Sequence, residues 1–165
     1  MGQVAERFQI ETEDIFRAIS EISIPIPGLL RPTLIELQEK YPWIKEIETD
    51  ISFEQQATLK LITVLGTYEK SIRRPEYERR LASSFSFSRL LGYQQFSWIT
   101  EHQEDYGAFT DLVGKIYVRF SGLVVVDYDG RRSVPYARGN GKRLWLRWDL
   151  LSNDFTSTGR IAVAE

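Results

Sequence analysis

GKRLWLRWDLL, residues 141–151, alternates strictly between two kinds of side chain from Arg143 to Leu150. On an extended chain Arg143, Trp145, Arg147 and Asp149 fall on one face, and Leu144, Leu146, Trp148 and Leu150 on the other. That is the period of a half-buried β-strand. The same period runs back through KIYVRF (115–120), LVVVDY (123–128) and RRSVPYA (131–137). The breaks fall at Ser121-Gly122, Asp129-Gly130 and RGNG (138–141). Asp-Gly and Asn-Gly between alternating apolar runs are strong hairpin signals. Residues 115–150 therefore read as an antiparallel meander of three or four strands.

Ahead of the meander the chain reads as about four helices. Thr12 is placed to cap EDIFRAISEI (13–22), with Ile15, Phe16, Ile19 and Ile22 on one stripe and Glu13 and Asp14 in the first turn. IPIPG (24–28) stops it as an extended turn, because proline fixes φ and restricts the residue before it. Pro32 and Thr33 open a short helix, LIELQEKY (34–41), stopped by Pro42. Ser52 and Gln55 have the spacing of a capping box, and Ala57, Leu61, Val64, Leu65 and Tyr68 follow at helical intervals. Pro75 begins PEYERRLASSF (75–85), and a further helix is expected from about Ser88 into YQQFSWITEH (93–102). In SFSFS (84–88) Phe85 and Phe87 alternate like a strand or connector.

Helices segregated before strands predict an α+β protein. It is expected to be one domain over 1–165, mainly helical through 113, with strands at 115–150 and a polar tail at 151–165. Of its 165 residues 42% are hydrophobic and 27% charged, a balance that excludes intrinsic disorder. The absence of cysteine excludes disulfides, thiolate metal sites and cysteine nucleophiles. No stretch approaches the ~18 apolar residues of a membrane helix, and the first residues lack a signal-peptide core. Position 6 is Glu6, where an acylated Gly2 would want Ser or Thr. A cytoplasmic protein with no membrane partner is the expectation.

The net charge of −2 conceals a polarity. Residues 1–56 carry a net of −6, whereas 115–150 carry +5. Such asymmetry speaks about partners rather than fold. Lys115, Tyr117 and Arg119 repeat the pattern of Arg143, Trp145 and Arg147. If these faces coincide, cations surround exposed rings, the arrangement that holds single-stranded nucleic acid by phosphate contacts and base stacking. Arg131, Arg132, Arg138 and Lys142 would extend the footprint. The plainer reading makes Trp145 a core residue with arginine stems lying over it.

Other constellations point less directly to chemistry. Asp127 and Asp129 share a strand face, as a Mg²⁺ or Mn²⁺ pair would, but they also suit an Asp-Gly turn. Glu101, Glu104 and Asp105 surround His102, the sole histidine, as a metal cluster would; a solvated helix end is the plainer explanation. There is no G-x-S-x-G motif, and RGNGKR (138–143) lacks the length of a P-loop. Arg73-Arg74 and Arg79-Arg80 have Glu69, Glu76 and Glu78 as natural partners. The sequence thus names no catalytic residue, metal ligand or cofactor. It points first to non-enzymatic nucleic-acid binding through the β face. A homo-oligomer joining acidic helices to basic strands comes second, and a metal-dependent nuclease or hydrolase third.

Overall fold

A computed structural model describes residues 14–165; the Thr12 cap and Glu13 lie outside the described residues. The elements in chain order are α1 (14–21), β1 (Ile24–Ile26), α2 (Leu34–Lys40), β2 (Ile44–Asp50), β3 (Ala57–Ile62), β4 (Ser71–Ile72), α3 (Arg74–Ala82), α4 (Tyr93–Glu101), α5 (Gly107–Val113), β5 (Tyr117–Arg119), β6 (Leu123–Asp127), β7 (Arg132–Gly139), β8 (Leu144–Leu150), β9 (Phe155–Thr156) and β10 (Gly159–Ala164). Strands and helices interleave from the start. The expected order, helices and then a meander, is therefore wrong: the principal feature is one mixed eight-stranded sheet.

Two misread segments account for most of the difference. Residues 57–62, expected in a helix behind Ser52, form β3, which pairs antiparallel with β1 and β10. ATLKLI carries apolar residues at 57, 59 and 61 as well as at 57 and 61, so both periods fit; pairing on two edges favours the strand. The end of the tail, GRIAVA, is buried throughout as β10. It runs antiparallel to β3 and parallel to β5, in the middle of the sheet. A continuous apolar run is what a strand covered on both faces looks like.

Strands β5 to β8 form near the expected positions, but not as a meander. β8 pairs along β7 from Ser133↔Leu150 to Gly139↔Leu144. β5 and β6 must therefore share the other edge of β7, at Val118↔Ala137 and at Val125↔Ser133. They are halves of one strand interrupted at 120–122, so Ser121-Gly122 is no hairpin. At that interruption the sheet forks, with β10 continuing it beyond β5 and β2 beyond β6.

Both faces of the sheet are covered. On one, Ile19 and Ile22 pack with Phe96, Ile99, Phe109 and Leu112 of α4 and α5 against Leu59, Val118, Ala137, Leu144 and Ala162. On the other, α3 (Tyr77, Leu81) and the β4–β9 pair (Ile72, Phe155) pack on Val134, Ile161 and Val163. Leu37, Ile44, Leu123 and Val125 make a smaller cluster under α2, with Tyr41, Tyr93 and Trp148 around it. Thr33 caps α2 in a reciprocal pair with Glu36, so Pro32 precedes the cap and is not the first helical residue. α4 begins at Tyr93 rather than Ser88, and α5 was not foreseen.

Ser52 fills the fork. It caps no helix; it is fully buried, donates through Oγ to Asp50 Oδ1 at 2.5 Å and accepts from Gln94 Nε2 at 2.8 Å. A Cβ at Gly92 or Gly122 would stand 2.6 or 2.8 Å from Ser52 Cβ, so both glycines are needed for this approach. The Gly122 carbonyl accepts from the Ile51 amide, and its own N–H donates to the Leu91 carbonyl.

Replacing Ser52 with Ala should weaken the fold by ~1–3 kcal/mol, because Gln94 loses its acceptor in a buried site. The denaturant midpoint measures this. Burial pushes the Asp50 carboxyl above the ordinary carboxylate range, against the Ser52 hydrogen bonds and the Arg31 charge. The stability this group adds is whole below the unfolded value of about 3.9 and is lost as pH rises through the raised folded value. Asp50→Asn, which keeps the acceptor for Ser52, should remove that loss; denaturation midpoints across mildly acidic to neutral pH test it.

Candidate nucleic-acid interface

Register decides which side chains share a face. In β7 and β8, Tyr136 stands opposite Arg147 and Arg138 opposite Trp145. In β5, Arg119 stands opposite Tyr136. Tyr117, Arg119, Tyr136, Arg138, Trp145 and Arg147 therefore lie on one face, as the matching patterns required. It is also the face covered farther along by α3, β4 and β9.

That cover divides the ten residues named from the sequence. Arg119 is fully buried. Its Nη2 lies 2.8 Å from Asp149 Oδ2, its Nε donates to the same oxygen, and its Cζ lies 4.8 and 5.4 Å from the ring centroids of Tyr77 and Phe155. Arg132 is held between Glu48 and Glu78, at 2.6 Å from each. Arg131 is engaged by Asp127 and Asp129. These three arginines leave the proposed footprint, each neutralised by carboxylates.

The other seven remain together near the β7–β8 hairpin. Arg138, Lys142, Arg143 and Arg147 are exposed, as is Lys115 just past α5. Among the described residues these five cations make no ion pair. Trp145 is half-buried, with the Arg143 guanidinium 5.9 Å from its ring centroid. The arginine over the ring is what the plainer reading expected, but Trp145 is not among the buried core residues. On the opposite face of β8, Leu144 is buried while Leu146 and Trp148 are half-buried.

Beside this corner lies an open groove of about 510 Å³, bordered by Lys115, Tyr117, Tyr136, Arg138, Asp154 and Thr158. The rings of Tyr117 and Tyr136 meet edge to face at 6.3 Å. Tyr136 was overlooked in the sequence, although counting back from the Asn140-Gly141 turn places it opposite Arg147. Asp154 and Asp149 bring negative charge to the groove, so the patch is a cationic corner rather than a uniformly basic face.

The other constellations resolve locally. Asp127 Oδ1 accepts from the amides of Asp129 and Arg131, each at 2.9 Å, an Asx-type turn. The Arg131 amide is the main reason its carboxyl sits below the usual range. His102 stacks on Trp98 at 3.9 Å and its Nδ1 lies 2.8 Å from the Trp98 carbonyl. Glu101, His102, Glu104 and Asp105 do not converge, and no group of three or more potential metal ligands does so among the described residues. Arg80 bonds both Glu69 and Glu76. Its hydrogen bond brings the Glu69 carboxyl down to about 2, and the Glu76 carboxyl is brought down to about 2 first by Arg79 and then by Arg80. No helix among the described residues is long and apolar enough to cross a membrane.

Arg119→Met should cost ~3–5 kcal/mol, because Asp149 would be left partly buried without its cation. Chemical denaturation checks this, and a change within ±0.5 kcal/mol, the range of ordinary surface substitutions, would place the arginine outside the core. Comparison of the chain with protein-family models, curated proteins and solved structures gives no match, so function is read from these side chains.

Proposed function

We propose that the chain is a non-enzymatic binding module that holds single-stranded nucleic acid across the β7–β8 corner. One observation carries this reading: five cations without ion pairs among the described residues stand around Tyr117, Tyr136 and Trp145. Paired arginines would have to break an existing bond before meeting a phosphate; these would not. Phosphate contacts release condensed counterions and rings stack on bases, so the corner supplies both halves of sequence-tolerant recognition. The groove beside it admits a backbone or a splayed base, with Lys115 and Arg138 at its border. The footprint is accordingly Lys115, Tyr117, Tyr136, Arg138, Lys142, Arg143, Trp145 and Arg147.

The assembly reading draws no comparable support. It needs the acidic first half of one copy to meet the basic strands of another, and here β2 is already paired with β6 within the chain. Glu48 and Arg132 make that contact internally.

The test is fluorescence anisotropy with a labelled, mixed-sequence single-stranded oligonucleotide over a salt series. Binding should weaken steeply with salt. Arg143→Gln together with Arg147→Gln should make the slope of log affinity against log salt shallower by about 1–2, at roughly 0.7 per phosphate contact. Trp145→Ala should cost ~1–3 kcal/mol of binding with the slope nearly unchanged, since stacking releases no counterion. Absence of binding at low salt by the folded wild-type chain would overturn the proposal.

A further inference from the structure

Between α3 and the sheet lies a second, smaller cavity of about 250 Å³. Leu81, Val124, Val134 and Leu151 give it apolar walls, and Ala82 reaches it from the exposed last turn of α3. Arg132, bound to Glu48 and Glu78, is also part of its lining. Three further lining residues carry hydroxyls: Thr49, which is exposed, and two buried ones, Tyr77, 1% exposed, and Ser121, 6% exposed.

The two buried hydroxyls lie 2.6 Å apart, and either can be the donor. The Tyr77 oxygen also meets the Arg119 guanidinium, which is a donor; among the described residues neither hydroxyl has an acceptor outside the pair. Two hydroxyls sharing one bond use one hydrogen and leave the second without an acceptor. Behind Tyr77 the shortage recurs, because Arg119 Nη1 is buried without a partner. This side of the cavity therefore has donors in excess. Buried donors left unpaired are costly, and an incoming acceptor would relieve the cost.

We propose that this cavity binds a small apolar molecule bearing one hydrogen-bond-accepting oxygen, such as a carbonyl. Its hydrocarbon part packs on Leu81, Val124, Val134 and Leu151, and its oxygen accepts from the Tyr77–Ser121 pair. The volume suits a single ring or a short acyl chain, below the range of drug-sized ligands. The site is separate from the β7–β8 corner and stands whether or not nucleic acid binds there.

The probes are acetophenone and ethylbenzene, which share a skeleton and differ in the carbonyl. Each is titrated into the full chain while the methyl NMR signals of Val124, Val134 and Leu151 are followed. Acetophenone should bind with a Kd about threefold to tenfold lower, the share of one net hydrogen bond. Ala82→Trp, at an exposed position, should abolish binding of both probes while the chain stays folded. Tyr77→Phe with Ser121→Ala removes both hydroxyls together and should make the probes bind alike. Absence of shifts with either probe, equal affinities for the wild-type chain, or unchanged binding by the Ala82 variant would each overturn the proposal. Should the double variant unfold, the wild-type comparison and the Ala82 variant decide it.

Discussion

The sheet depends on how tightly the chain can close around Ser52. Where β5 gives way to β6, the sheet splits towards β10 on one side and β2 on the other. An open fork would leave backbone groups unpaired in the interior, which folded proteins avoid. Residues 51–53 and 90–91 close it with hydrogen bonds from the Ile51, Phe53 and Leu91 amides to the Gly122, Leu90 and Ala162 carbonyls. Those bonds can coexist only because Gly92 and Gly122 have no side chain to strike Ser52. The hydroxyl then ties the end of β2 to α4 through Asp50 and Gln94. One small polar residue thereby joins three separate parts of the chain, at the cost of keeping a carboxyl in a poorly solvated place.

Charge is allotted by cover. A strand sends alternate residues to one face, but nothing in the alternation says whether that face stays bare. Along a single face Arg119 is sealed under Tyr77 and Phe155, while Arg147, across Tyr136 from it, reaches solvent. The buried arginine needs Asp149 to remain charged there, since an isolated buried ion is far costlier than a paired one. Asp149 sits on β8 with the same parity as Arg147, so one strand supplies both a counterion for the interior and a cation for the surface. The sequence difference between the two roles is only position along the strand.

This is also why the sequence was legible in some places and opaque in others. Thr33 and Glu36, and the turns at Gly130 and Gly141, are specified by neighbours and could be read locally. The alternation of 143–150 holds, and Tyr117, Arg119, Trp145 and Arg147 do share a face. β3 and β10 are specified by pairing with each other and with β1 and β5, all distant in sequence, and no local period reports that. GRIAVA follows small polar residues and resembles a tail until its partners are known. Ser121-Gly122 has the composition of a turn, yet its glycine serves a close packing contact instead. Ser52 has the spacing of a helix cap, but no helix follows it, and it is buried at the fork instead. Of the candidate interface, the exposed cations were legible; the burial of Arg119 was not, because the residues covering it, Tyr77 and Phe155, come from distant segments.

The same cover separates the two proposed binding surfaces on one side of the sheet. Under α3 and the β4–β9 pair the face is apolar, and its unmet need is for a hydrogen-bond acceptor beside Tyr77 and Ser121. Past the edge of that cover, at the β7–β8 hairpin, the need is for anions, and cations and rings meet solvent. Arg119 and Asp149 lie at the boundary: their mutual bond allows one strand pair to pass from an interior to a surface without leaving a charge stranded. Loss of that bond would disturb both surfaces at once, whereas substitutions at Arg143 or Ala82 act on one surface each. Independent change of the two is thus a consequence of where the cover ends.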